Sequence, residues 1–293
     1  MHEANEADIA LKSLAISERE VARVDSPALE PGYGPGHQVR RLVAPGQWQS
    51  ADPFLLLNED WFPDGIFDRH PHRGIETVTY VLDGCIRHWD NHGNTGVIGA
   101  GDAQWLTAGR GLIHNEQPVT GENVHILQLW INLPAAKKLV PARHQNLLAA
   151  DMPVRREPGV EIRVFSGSSG SIRATTHNYA PVTVIEIRLD SGARVVEAVP
   201  SGFTAFIVVQ EGEGMIGARS ISTRAGQVVW LASEERPSVI SLEAGQGGMR
   251  AFLFAGQPLR EPVVAGGPFV TNTEAELAEA FAEYRAQGMR FGL

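Results

Sequence analysis

Two short stretches of the chain place metal-ligating side chains two residues apart. The first reads Phe67-Asp68-Arg69-His70-Pro71-His72-Arg73-Gly74-Ile75-Glu76, and the second Gly109-Arg110-Gly111-Leu112-Ile113-His114-Asn115-Glu116. On an extended strand, residues two apart point to the same side, so His70 and His72 present both imidazoles to one point, and His114 and Glu116 do the same. If the two strands are neighbours, about 4.8 Å apart, the four groups converge at a distance that first-shell metal bonds span. Three imidazoles and a carboxylate without sulfur suit iron, nickel, copper, manganese, cobalt or zinc. Four protein ligands also leave one or two positions of a five- or six-coordinate ion vacant for water or substrate. None of the 10 histidines lies beyond His177, so the second half of the chain has no means of building a comparable site. One metal per chain is expected.

The elements that must carry these residues read as strands and turns. The 293 residues include 31 Gly and 18 Pro, which favours short strands joined by tight turns, and the length favours two domains. Glu76 to Leu82 is rich in β-branched residues, Asp83-Gly84 turns and Cys85 to Trp89 returns, which predicts a hairpin; a second turn follows at Asn91-His92-Gly93-Asn94. The run Thr77 to Gly84 is echoed by Thr204 to Gly212, and Ala100 to Leu106 by Ala225 to Leu231, with offsets of 128 residues between Gly84 and Gly212 and 125 between Trp105 and Trp230. Two related β-domains explain the echo. The expected organisation is an arm over residues 1–36, mobile or irregular, with regular structure beginning near His37. A metal-bearing barrel then spans residues 37–133, a connector with short helical turns 134–153, a second barrel without ligands 154–270, and a C-terminal segment 271–293. In that last segment Thr273 and Glu276 form a capping box, Leu277, Ala280, Phe281 and Tyr284 recur at helical spacing, and Gly288 stops the helix.

Composition excludes several functions. A formal net charge of -9 argues against direct binding to nucleic acid phosphates. A single cysteine, Cys85, rules out an intramolecular disulfide and a thiolate-rich metal site. The start, Met-His-Glu-Ala-Asn-Glu-Ala-Asp, places acids where a signal peptide has basic residues and an apolar run, and charges, Gly or Pro interrupt every apolar stretch. A cytoplasmic protein that does not cross a membrane is expected.

The runs His70-Pro71-His72-Arg73-Gly74-Ile75-Glu76-Thr77-Val78 and Gly101-Asp102-Ala103-Gln104-Trp105-Leu106-Thr107-Ala108-Gly109-Arg110-Gly111, with His114 and Glu116, resemble the pirin signature of the cupin superfamily. Leu127 to Pro134 and Gly266 to Val270 fit the same pattern, so the resemblance spans the chain from about Gln38 onward. It implies an all-β bicupin, two jelly-roll barrels with a C-terminal helix. It further implies one divalent metal, commonly iron(II), in the first barrel, held by His70, His72, His114 and Glu116. Other cupins use a glutamate at the position of Glu76; in pirins that residue is a neighbour of the site.

Bacterial pirins resemble quercetin 2,3-dioxygenases, which open a flavonol with O₂ and release carbon monoxide. The partners implied are thus a flat aromatic substrate and O₂, with Glu116 taking or sharing the substrate's hydroxyl proton and Trp105, Ile113 and Leu127 as candidate walls. The other implied class is a metal-dependent regulatory protein without turnover, a transcription coregulator or a partner of metabolic enzymes. Among nearby residues, His88 reads as a solvated strand histidine, His125 as somewhat better placed to orient a ligand, and Arg110 as a solvated turn arginine.

Overall fold

The computed structural model of the chain describes residues 16–119, 121 and 123–293. Regular structure begins earlier than expected. Strands β1 (Ser17–Glu18) and β2 (Val21–Asp25) precede the first barrel in sequence but pair with the second, β1 beside Ser238–Val239 and β2 beside Val228–Leu231. Between them Arg19 is buried, donating to Ser238 Oγ and to the carbonyls of Phe203 and Pro200 at 2.7–2.9 Å, which satisfies a charge that burial alone would penalise. Residues 17–25 of the arm therefore form a strap across the second barrel.

The first barrel is built from β3 (Leu29–Pro31), β4 (Gln38–Val43), β5 (Phe54–Pro63), β6 (His70–His72), β7 (Ile75–Asp83), β8 (Cys85–Asp90), β9 (Thr95–Gly99), β10 (Ala103–Thr107), β11 (Leu112–Pro118), β12 (Asn123–Asn132) and β13 (Arg143–Leu147). One sheet runs β13-β10-β7-β12-β5-β4-β3 and the facing sheet β6-β11-β8-β9. The expected hairpin at Asp83-Gly84 does not form. Strand β7 pairs with β10 and β12, whereas β8 pairs with β11 and β9, so the turn carries the chain from one sheet to the other. Gly84 has φ +81°, and a Cβ there would lie 2.6 Å from the Asn123 carbonyl, so glycine is required at the crossing. The turn at Asn91-His92-Gly93-Asn94 does close a hairpin, between β8 and β9. The connector has its short helical turn at Ala135–Lys137 and also supplies β13, paired with β10.

The internal echo is a repeated strand pairing: Val78 lies opposite Trp105 and Phe206 opposite Trp230. These four side chains face one shared core between the barrels, where Phe54 meets Phe206 edge-on at 5.3 Å and Tyr80 meets Phe252 at 4.9 Å. The second barrel's own interior is aliphatic, filled by residues such as Ile162, Ile187, Ile207, Val229, Leu242 and Leu253. The C-terminal helix, Glu274–Gln287, has the expected Thr273/Glu276 capping box and ends at Gly288. Leu277, Ala280, Phe281 and Tyr284 pack with Phe269 and Phe291 against Ile113, so this helix braces the first barrel. No helix among the described residues is long and apolar enough to cross a membrane.

Candidate metal centre

Strand β11 lies between β6 and β8, with His114 opposite His70 on one side and Glu116 opposite His88 on the other. The adjacency expected of the two ligand-bearing strands is thus observed. His70, His72 and His114 each offer a ligand atom within 4.8 Å of the other two, and so do His88, His114 and Glu116. His114 joins the two groups, and His70, His72, His114 and Glu116 all border one cavity of about 290 Å³.

The histidines are oriented from behind. His70 Nδ1 lies 2.8 Å from the Asp68 carbonyl and His72 Nδ1 lies 3.4 Å from the Pro268 carbonyl, arrangements in which Nδ1 carries the proton and Nε2 keeps its lone pair for the cavity. The Nε2 atoms of His70 and His114 face each other at 3.0 Å. Two nitrogens bound to one ion at about 2.1 Å and at right angles also stand about 3.0 Å apart, so the donor spacing fits a cation in place of the proton that otherwise bridges them. His114 Nδ1 is buried without a protein partner, so no single tautomer satisfies both sides of this ring.

Electrostatics favour neutral imidazoles awaiting a positive charge. Burial, followed by the neighbouring His70, pushes His72 and His114 well below the usual histidine range. Burial likewise pushes Glu116 above the usual carboxyl range, opposed by His88 and by the Thr79 hydroxyl, which donates to Glu116 Oε1 at 2.8 Å. A cation would reverse that penalty by stabilising the carboxylate.

Several expectations about surrounding residues are corrected. His88 is not solvated; its side chain is fully buried, stacks on His144 at 4.9 Å, and joins the His114 and Glu116 group. Burial alone would raise its neighbour Asp90, but hydrogen bonds from His88 and Asn94 hold that carboxyl down at about 2. His125 lies outside the cavity, stacked on Trp61 and 2.8 Å from Glu59. Arg110 is an exposed turn residue, as expected, and donates to the Gly292 carbonyl beside a different cleft. Glu76 is not a neighbour of the cluster: it lies three residues from Thr79 on β7, hence on the opposite face, where it accepts from Thr107 at 2.8 Å. Burial raises it to about 7.

None of the three proposed walls borders the cavity. Trp105 and Leu127 belong to the core between the barrels, and Ile113, adjacent to His114 in sequence, faces the C-terminal helix. The walls are Tyr33, Phe62, Phe67, Ile126 and Trp130, with Trp130 edge-on to His72 at 4.9 Å. The alternation Leu56, Asn58, Asp60, Phe62 on β5 is the sequence signal that locates one wall once the inward face of that strand is known.

Comparison with known proteins places this arrangement. The Pirin family model matches residues 36–131, and the Pirin C-terminal cupin domain model matches residues 184–292. Human Pirin is 37% identical over 259 residues, covering 87% of this chain and 89% of the human one, and Pirin-1 of Arabidopsis thaliana is 40% identical over 255 residues, covering 86% and 88%. Among solved structures, a Geobacillus kaustophilus protein aligns with TM-score 0.82 and 44% identity over 85% of this chain and 100% of that one. Quercetin 2,3-dioxygenase from Acinetobacter baumannii aligns with TM-score 0.84 and 30% identity over 94% and 100%. The chain therefore belongs to the pirin family, and its two barrels with their C-terminal helix form the family's bicupin fold.

Proposed function

We propose that this pirin is a metal-dependent oxygenase of the quercetin 2,3-dioxygenase type, acting in the cytoplasm on a flat, hydroxylated aromatic substrate. The observation that carries the reading is the union of donors and cavity: three imidazoles stand within reach of one ion, and Glu116, grouped with His114, borders the same space of about 290 Å³ walled by aromatic side chains. The likeness to the Acinetobacter baumannii dioxygenase supports the chemistry. His70, His72, His114 and Glu116 would hold one divalent transition ion, iron(II) in the first instance; when bound, it supplies Lewis acidity and open positions for substrate and O₂.

The chain's own residues supply the rest. Carbonyls of Asp68 and Pro268 fix which ring nitrogen of His70 and His72 faces the cavity. Trp130 and Phe67 offer apolar surfaces that exclude water around a planar ring. Glu116, its Oε1 held by the Thr79 hydroxyl, is placed to take up or share the proton that a substrate hydroxyl gives away. The test is to load the protein with iron(II), and separately with nickel, copper, manganese, cobalt and zinc, then follow quercetin loss and carbon monoxide in air. Both signals with at least one metal are expected. Their absence with every metal would contradict the oxygenase and leave a metal-dependent binding protein that acts on a regulatory partner.

A further inference from the structure

The cavity has a second polar pair, on the sheet facing the histidine cluster. His37 and Asp60 are 3% and 4% exposed, and His37 Nε2 stands 2.9 Å from Asp60 Oδ1. The other ring nitrogen, Nδ1, accepts the Tyr33 backbone N–H at 2.9 Å. With that lone pair engaged, the ring proton belongs on Nε2 and is directed at the carboxylate. The loop before His37 closes tightly enough for this only because residue 32 is glycine: a Cβ there would lie 2.1 Å from His37 Nδ1. Phe67 and Phe62 pack edge-on to the His37 ring at 5.3 and 5.9 Å, which fixes its plane.

The pair is not needed to register the sheet, because β4 and β5 are already paired through their backbones, with Val39 opposite Asp60. A buried carboxylate is costly unless its oxygens are engaged. His37 engages Oδ1; among the described residues no hydrogen bond reaches Oδ2, although Asp60 borders the cavity. Asp60 thus presents the ligand space with an oriented acceptor.

We infer that Asp60, positioned by His37, determines specificity by accepting a hydrogen bond from a ligand hydroxyl other than the one directed at the histidine cluster. The inference rests on the reading of this cavity as the site of a flat aromatic substrate, and it deepens that reading: the site selects planar ligands with a second hydroxyl over those with one. A site built around a buried acceptor discriminates strongly, because the analogue lacking the hydroxyl leaves the acceptor unpaired, whereas apolar walls alone distinguish the two weakly.

The probes are quercetin, with hydroxyls on both outer parts of its scaffold, and 3-hydroxyflavone, which lacks them. Binding to the iron(II)-loaded full chain is read under nitrogen by quenching of tryptophan fluorescence. The wild type is expected to prefer quercetin by at least about 10-fold, the worth of a charge-assisted hydrogen bond. Asp60→Ala should reduce that preference to within about 3-fold. Asp60→Asn, which can still accept from His37, should give an intermediate value, with metal content unchanged in both variants. An unchanged preference in Asp60→Ala, an equal loss for both ligands, or no quercetin binding by the wild type would overturn the inference. Admitting air separates it from the oxygenase reading. A preference that collapses as expected, without carbon monoxide, retains Asp60 and removes the oxygenase; carbon monoxide with a preference untouched by Asp60→Ala does the reverse.

Discussion

The two barrels repeat one strand pairing and fill it with opposite chemistry. Val78 opposite Trp105 and Phe206 opposite Trp230 both face the shared core, yet the next residue, on each barrel's interior side, is Thr79 in the first and Ile207 in the second. Thr79 donates to Glu116 and lies 2.9 Å from Gln128, while Ile207 sits in an aliphatic interior. The second barrel's interior is aliphatic, whereas the first keeps, beside a smaller apolar cluster around Phe62, Ile86 and Ile126, buried imidazoles and a carboxyl whose desolvation disfavours their charged forms. The chain ends reinforce the division: β1 and β2 strap the second barrel, while the C-terminal helix and the Pro268 carbonyl brace the strands that carry the histidine cluster of the first.

Substitutions at corresponding places break the comparison in different ways. The largest effect is expected from His114→Ala, which removes the ring shared by both ligand groups. Metal affinity should fall by more than about 100-fold, beyond the loss typical of outer partners, with flavonol turnover lost in parallel and circular dichroism unchanged. Retained metal with full activity would break the assignment. Next is Ile207→Ala, a cavity in the second barrel, expected to cost about 2–5 kcal/mol in denaturant unfolding while leaving the metal content of the folded chain unaltered. Loss of metal at constant fold would show that the interiors are coupled.

Smaller effects sharpen the contrast. Thr79→Val gives the first barrel an apolar residue at the position of Ile207 and withdraws the hydroxyl from Glu116; metal affinity should drop by about 10-fold in a chelator competition. Glu116 should contribute to proton competition where His72 and His114, kept neutral by burial, do not: affinity is expected to fall as pH drops through the raised Glu116 range, and titrations that are flat there would refute this. At the metal site the smallest change is expected from Glu76→Gln. The folded chain holds the Glu76 proton up to about 7, whereas the unfolded chain releases it near 4.5, so this group makes stability decline as pH rises between those values. The variant should flatten that decline and retain its metal.

Much of the candidate metal centre is legible because two-residue spacing on a strand is a local property, which His70, His72, His114 and Glu116 display directly. The capping box of the last helix was legible for the same reason. His88 was not, since its burial depends on β8 joining the second sheet, and Asp83-Gly84 carries ordinary hairpin chemistry although it makes a crossing. The cavity walls are not legible, because Trp105 and Leu127 face the second barrel, a partner that alternation within one strand does not name. Strands β1 and β2 pair more than 200 residues away, where no local pattern reaches.

The most direct test of the account is the metal stoichiometry of the iron(II)-loaded chain by elemental analysis, with X-ray absorption reporting the ligands. One ion per chain, surrounded by nitrogen and oxygen alone, is the expected result. No bound ion, two ions, or sulfur in the coordination sphere would contradict it.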